Sequence, residues 1–141
     1  MNKFLEEASD HYQIAEHLFE TTLPLAKDPK LLLCIVKSIG NCLEKVIDSI
    51  LTQEGIISKE GPIHKINLLR PLAAKHNFPT KYLTFMLRIQ ELLHFQKNSP
   101  LEFTRSNSRV ICDDKYSLEV LSPMEIKEYL LQTKKILKTL K

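Results

Sequence analysis

The residue types able to do chemistry are dispersed along this chain. Its three cysteines, Cys34, Cys42 and Cys112, are odd in number and include no close pair. Cys34 and Cys42 fall in one predicted helix, about 12 Å apart along its axis, too far for a disulfide within it. All three read as buried small apolar residues or idle thiols of a reducing cytoplasm. The histidines, His11, His17, His64, His76 and His94, stand singly. No zinc-site spacing arises from them, so neither a metal nor another cofactor is expected. The paired acids Asp113-Asp114 would point to opposite faces of a strand, which favours a solvated turn over a cation site. Tyr12, Tyr82, Tyr116 and Tyr129 fall at core-type positions and read as packing residues rather than base-stacking ones.

Charge is the more informative pattern. Residues 1–60 hold 6 lysines against 10 acids, a net −4, while residues 61–141 hold 14 Lys and Arg against 7 acids, a net +7. A basic half with Arg105 and Arg109 on a polar arm and Lys134, Lys135 and Lys138 on the last helix could meet RNA phosphates. The acidic half could equally pair with the basic half of a second copy.

The elements that would position these residues are helical. The 141 residues suit a single domain spanning 1–141, and three glycines are too few for the tight turns of an all-β fold. They also leave no glycine-rich phosphate loop. The longest apolar run, Leu31–Val36, is six residues, so no membrane span is expected. Glu6 and Glu7 precede any apolar stretch, unlike a secretory signal, and the expected location is cytoplasmic.

Apolar spacing predicts a first helix from about Asn2 to Lys27, kinked or loosened at Pro24, which has no N–H for the bond to residue 20. Asp28-Pro29 reads as an N-cap and first helical residue, opening a second helix to Glu54 that Gly55 ends. Gly40 and Ser38 would permit close helix approach in it. A third helix, from about Ile63 to Lys75, is interrupted by Pro71, and a fourth starts after Asn77-Phe78-Pro79 and runs to about Lys97. The fourth has two apolar faces, as a buried helix or one in a dimer interface would. Residues 98–121 read as a short hairpin or ordered arm turning at Ser106-Asn107-Ser108. Ser122-Pro123-Met124-Glu125 is a capping box that starts a fifth helix, whose lysines, Lys141 included, face water. The expected fold is all-α: an antiparallel four- to five-helix bundle with a β-hairpin or ordered arm between its last two helices.

Three segments carry a family resemblance: Ala15-Glu16-His17-Leu18, Leu25-Ala26-Lys27-Asp28-Pro29-Lys30, and Leu43–Leu51. Over roughly residues 8–55 the chain resembles the opening of the HEPN superfamily, small helical bundles of bacteria and archaea. Asn98–Phe103 with Arg109–Cys112 resembles uncharacterised archaeal proteins of similar length. The resemblance implies a bundle that dimerises. It further implies one of two activities: metal-independent ribonuclease, carrying Arg, four to six residues and then His, or inactive companion of a nucleotidyltransferase or a nucleotide-binding module. Arg88–His94 and Arg70–His76 both satisfy that spacing. In such a site His would act as general acid or base on a 2′-hydroxyl and Arg would stabilise the phosphorane. Ile89 and Pro71 stand where active members carry a polar residue. Six helical positions also rotate Arg88 and His94 apart by about 240°.

The leading expectation is therefore a non-enzymatic helical interaction module acting as a homodimer, with a nucleotidyltransferase-like protein as a further partner. The alternatives are a HEPN-type endoribonuclease using Arg88 and His94, or an RNA- or ribosome-associated binding protein using the basic arm and last helix.

Overall fold

Pro24 does disturb the first helix, but by widening it rather than breaking it. In the computed structural model, which describes residues 3–140, α1 (Lys3–His17) passes into a π-helical turn (Leu18–Thr22) and then α2 (Leu23–Ala26). Leu23 N–H reaches back five residues to Leu18 C=O, the wider spacing of a π turn. Lys27, at φ 52°, closes the segment in the left-handed region. The expected positions Asn2 and Lys141 lie outside the described residues.

Asp28 caps the next helix, its Oδ1 accepting the Lys30 N–H at 3.0 Å. That helix, α3 (Lys30–Gln53), buries a broad apolar stripe from Leu32 to Leu51 and forms the centre of the molecule. It packs against α1, α4 (Pro62–Leu69), α5 (Thr80–Lys97) and α6 (Pro123–Leu140). Glu7 meets Lys45 at 3.2 Å and Tyr12 lies near Cys42, so α1 and α3 run antiparallel. Gly55, at φ 71°, ends α3, and the Ile56 N–H returns to Leu51 C=O at 2.9 Å. Pro71 splits the third predicted helix: α4 stops at Leu69 and a single 3₁₀ turn, Arg70–Leu72, follows.

The arm is a three-stranded antiparallel sheet in the order β1 (Leu101–Arg105), β2 (Ser108–Cys112), β3 (Leu118–Leu121). The third strand goes beyond the expected hairpin. Asp113 builds the connection to it, with Oδ1 accepting the N–H groups of Lys115 and Ser117 at 2.9 and 2.8 Å. Asp113-Asp114 is thus a turn. Ser122 then caps α6, its Oγ accepting the Glu125 N–H at 3.3 Å. The chain is mostly helical with one small sheet near its C-terminal end. Cys42 and Cys112 are buried, whereas Cys34 is exposed. Tyr12, Tyr82 and Tyr129 pack on the core, while Tyr116 points into solvent on the β2–β3 turn.

Candidate functional site

α5 is unbroken from Thr80 to Lys97, so Arg88 and His94 keep the angular divergence of six helical positions. Arg88 is committed elsewhere. Its Nη1 and Nη2 donate to the two carboxylate oxygens of Glu119 on β3, at 3.2 and 2.9 Å. That hydrogen-bonded fork raises the guanidinium pKa further. His94 lies in the last turn of α5, where Asn98 Nδ2 donates to its backbone carbonyl at 2.9 Å. The other spaced pair is also separated by its bonding. His76 Nε2 lies 2.7 Å from Glu54 Oε1, while Arg70 is exposed in the 3₁₀ turn. Lys75 joins His76 on Glu54, and their hydrogen bonds hold its carboxyl below the usual range.

Strand parity separates Arg105 from Arg109. The register pairs Thr104 with Arg109 and Arg109 with Leu121, placing Arg109 on the inner face with Ile111. Its side chain is mostly covered, 3.4 Å from Glu102 and 3.3 Å from Thr104 Oγ1. Gln96 Nε2 holds the other Glu102 oxygen at 3.0 Å. Gln96–Glu102 and Arg88–Glu119 thus fasten the sheet to α5 at two points. Arg105 faces outward and is exposed.

The outer face is apolar. Its two cross-strand rows are Leu101, Cys112, Leu118 and Phe103, Val110, Val120. On this face Val110 and Cys112 are buried and Val120 partly so, while Leu101, Phe103 and Leu118 stay 52%, 38% and 51% exposed. Val110 and Cys112 lie outside the main core cluster.

The charge polarity of the sequence is partly spent inside the fold. Lys65, on α4, reaches Asp48 at 2.9 Å and Glu44 at 3.2 Å, both on α3. Lys75 and His76 reach Glu54. Each joins a basic side chain of the basic half to an acid of the acidic half. Lys134, Lys135 and Lys138 are exposed on α6, and Lys134 and Lys138 share a shallow cleft with Glu16 of α1.

Sequence reasoning missed a cleft of about 410 Å³ between α3, α5 and the start of α4. Gly40 and Gln90 floor it, with Gln90 Nε2 donating to Gly40 C=O at 3.0 Å. Lys37, His64, His94 and Lys97 line it. Of these residues the sequence marks only His94 as a chemical candidate, and Gly40 as a point of close helix approach. The others are isolated in the chain and converge because the 54–61 connection carries α4 back to the middle of α3.

Among the described residues no three His, Cys, Asp or Glu side chains gather to hold a metal ion, and no helix is long and apolar enough to cross a membrane. Comparisons with protein-family models, curated proteins and solved structures find no match for this chain.

Proposed function

We infer that the chain is a cytoplasmic, non-enzymatic interaction module, a helical bundle around α3 that pairs with a second copy of itself through the outer face of its sheet. The observation that carries this reading is the exposed part of the two-row apolar face, Leu101, Phe103 and Leu118 around the buried Val110 and Cys112. A soluble chain leaves such a face uncovered at the risk of non-specific association, so a specific cover is favoured. A second copy suits it on charge. Arg105 is the one charged residue on that face, at the hairpin end, and a two-fold axis perpendicular to the strands sets the two Arg105 side chains at opposite ends.

Size decides how strong the pairing is. Three strands of this length present a face of roughly 14 by 17 Å, about 240 Å² in plan. A stable interface takes about 800 Å² from each partner. The face is therefore the core of a weak, reversible dimer rather than of an obligate one. The resemblance to HEPN proteins supports the same reading through their dimerisation, and leaves a nucleotidyltransferase-like protein as a further partner. The engagement of Arg88 with Glu119 favours the inactive group over the ribonuclease.

Sedimentation velocity over a concentration series tests the proposal. The expected result is a monomer–dimer equilibrium with a dissociation constant of about 10–500 µM, the range for a small interface. Phe103→Asp with Leu118→Asp should leave a folded monomer at every concentration. A wild-type chain that stays monomeric at about 1 mM, or a dimer unaffected by those substitutions, overturns the reading.

A further inference from the structure

We propose that the cleft between α3, α4 and α5 binds a small phosphate monoester. This goes beyond the self-association reading, and concerns a different surface.

Glycine at residue 40 helps shape the cleft. A Cβ there would meet Leu93 Cδ1, so glycine lets α5 lie close without moving the end of that side chain. Gln90, almost fully buried, is fixed across the cleft floor by its bond to the Gly40 carbonyl. Basic side chains line the cleft from different elements: Lys37 from α3, His64 from α4, His94 and Lys97 from α5. Among the described residues neither Lys37 nor Lys97 meets a carboxylate within 4 Å. Glu44 is the one acid in the lining, and it shares the Lys65 ammonium, 3.2 Å away, with Asp48 at 2.9 Å, so its charge is only partly offset. The two ammonium groups share one cavity with no carboxylate of their own, which favours entry of an anion, and the two imidazoles offer ring nitrogens that can hydrogen-bond it. The first turn of α4 adds donors, because Gly61 at its N-cap has no side chain to accept from the N–H groups there.

Neighbouring charge limits the ligand to a small one. Across the ridge made by His94 and Ile63 lies a second cleft, lined by Glu91, Asp113 and Asp114 against the single cation Lys115. A polynucleotide strand leaving the first cleft on that side would meet a net negative wall. A single phosphate with a short organic group fits the first cleft, with the phosphate at the cations and the remainder against Ile63 and Leu93.

The test is an amide-resolved NMR titration of the full chain with inorganic phosphate and, separately, glycerol 3-phosphate. Saturable shifts should centre on Gly61, Ile63 and His64, with glycerol 3-phosphate the tighter ligand. Lys37→Ala with Lys97→Ala should weaken binding at least about tenfold. His64→Asp, also an exposed position, should abolish it while leaving the fold intact. Shifts gathering instead around Lys134, Lys135 and Lys138, no saturation, equal affinity for the two probes, or unchanged affinity in the variants would each overturn the proposal.

Discussion

Arg88 and Glu119 form a two-pronged ion pair that ties α5 to the far strand of the sheet, with both nitrogen–oxygen distances at 3.2 Å or less. The guanidinium is 44% exposed and the carboxylate 30%, so solvent screens much of the attraction. A double-mutant cycle of Arg88→Ala and Glu119→Gln should give a coupling of about 0.5–1 kcal/mol in chemical denaturation. If Arg88 instead served RNA cleavage, Glu119→Gln would release it and raise any activity. The expected RNA turnover is nil in both wild type and Glu119→Gln.

Lys65 behaves differently because it is only 10% exposed between Asp48 and Glu44. Lys65→Met should cost about 2–3 kcal/mol, less than a fully buried pair because water still reaches both acids. Burial alone would pull its ammonium pKa down, but the hydrogen bonds to Asp48 and then Glu44 carry it above the ordinary lysine value. The folded state therefore holds this proton more tightly than the unfolded one. Its stabilisation is complete below the unfolded lysine pKa of about 10.4 and fades as pH rises through the higher folded value. Denaturation midpoints across that alkaline range should fall more steeply for wild type than for Lys65→Met.

Glu54 supplies the acid-side counterpart. Hydrogen bonds from Lys75 and then His76 lower its pKa, so its contribution is present above the unfolded glutamate value of about 4.3 and is lost as pH falls through the folded one. Glu54→Gln should flatten the stability profile across that acid window and leave the neutral-to-alkaline profile parallel to wild type. A wild-type profile already flat there would show that the cluster contributes nothing.

Local chemistry in this chain was legible and long-range convergence was not. Asp28, Gly55 and Ser122 act where their types place them, because a cap or a left-handed stop needs only its own neighbours. Pro24 likewise loosens its own helix. β3 escaped notice because Leu118–Leu121 is four residues long and is stabilised by pairing with β2, not by a pattern of its own. Arg109 looked solvent-facing until strand register set it beside Ile111 on the inner face. Tyr116 was expected in packing and instead tops a turn at φ 65°, a conformation dictated by the Asp113 hydrogen bonds around it. The −4 and +7 halves suggested an outside partner, yet Lys65, Lys75 and His76 spend part of that polarity on Glu44, Asp48 and Glu54. The cleft was invisible for the same reason: Lys37, His64 and Lys97 meet only once α4 is folded back along α3.

Gly55 and Gly40 separate backbone strain from packing. Around Gly55 no atom lies within 4 Å of an added Cβ, so Gly55→Ala meets only the penalty of φ 71°. The expected cost is about 1 kcal/mol, and Gly55→Asn should recover part of it, since Asn tolerates that region. At Gly40 the helical backbone is ordinary and the obstruction is Leu93, with Gln90 Nε2 at 3.7 Å behind it. Gly40→Ala gains about 1 kcal/mol of helix propensity and loses a similar amount in displacing the end of the Leu93 side chain, a near balance. Gly40→Val adds two methyl groups to the same floor and should cost about 2 kcal/mol. Denaturation curves for these four variants give the order: Gly40→Ala near wild type, Gly55→Asn below it, then Gly55→Ala, with Gly40→Val least stable. A Gly40→Val protein as stable as wild type would mean that α3 and α5 do not approach through this residue.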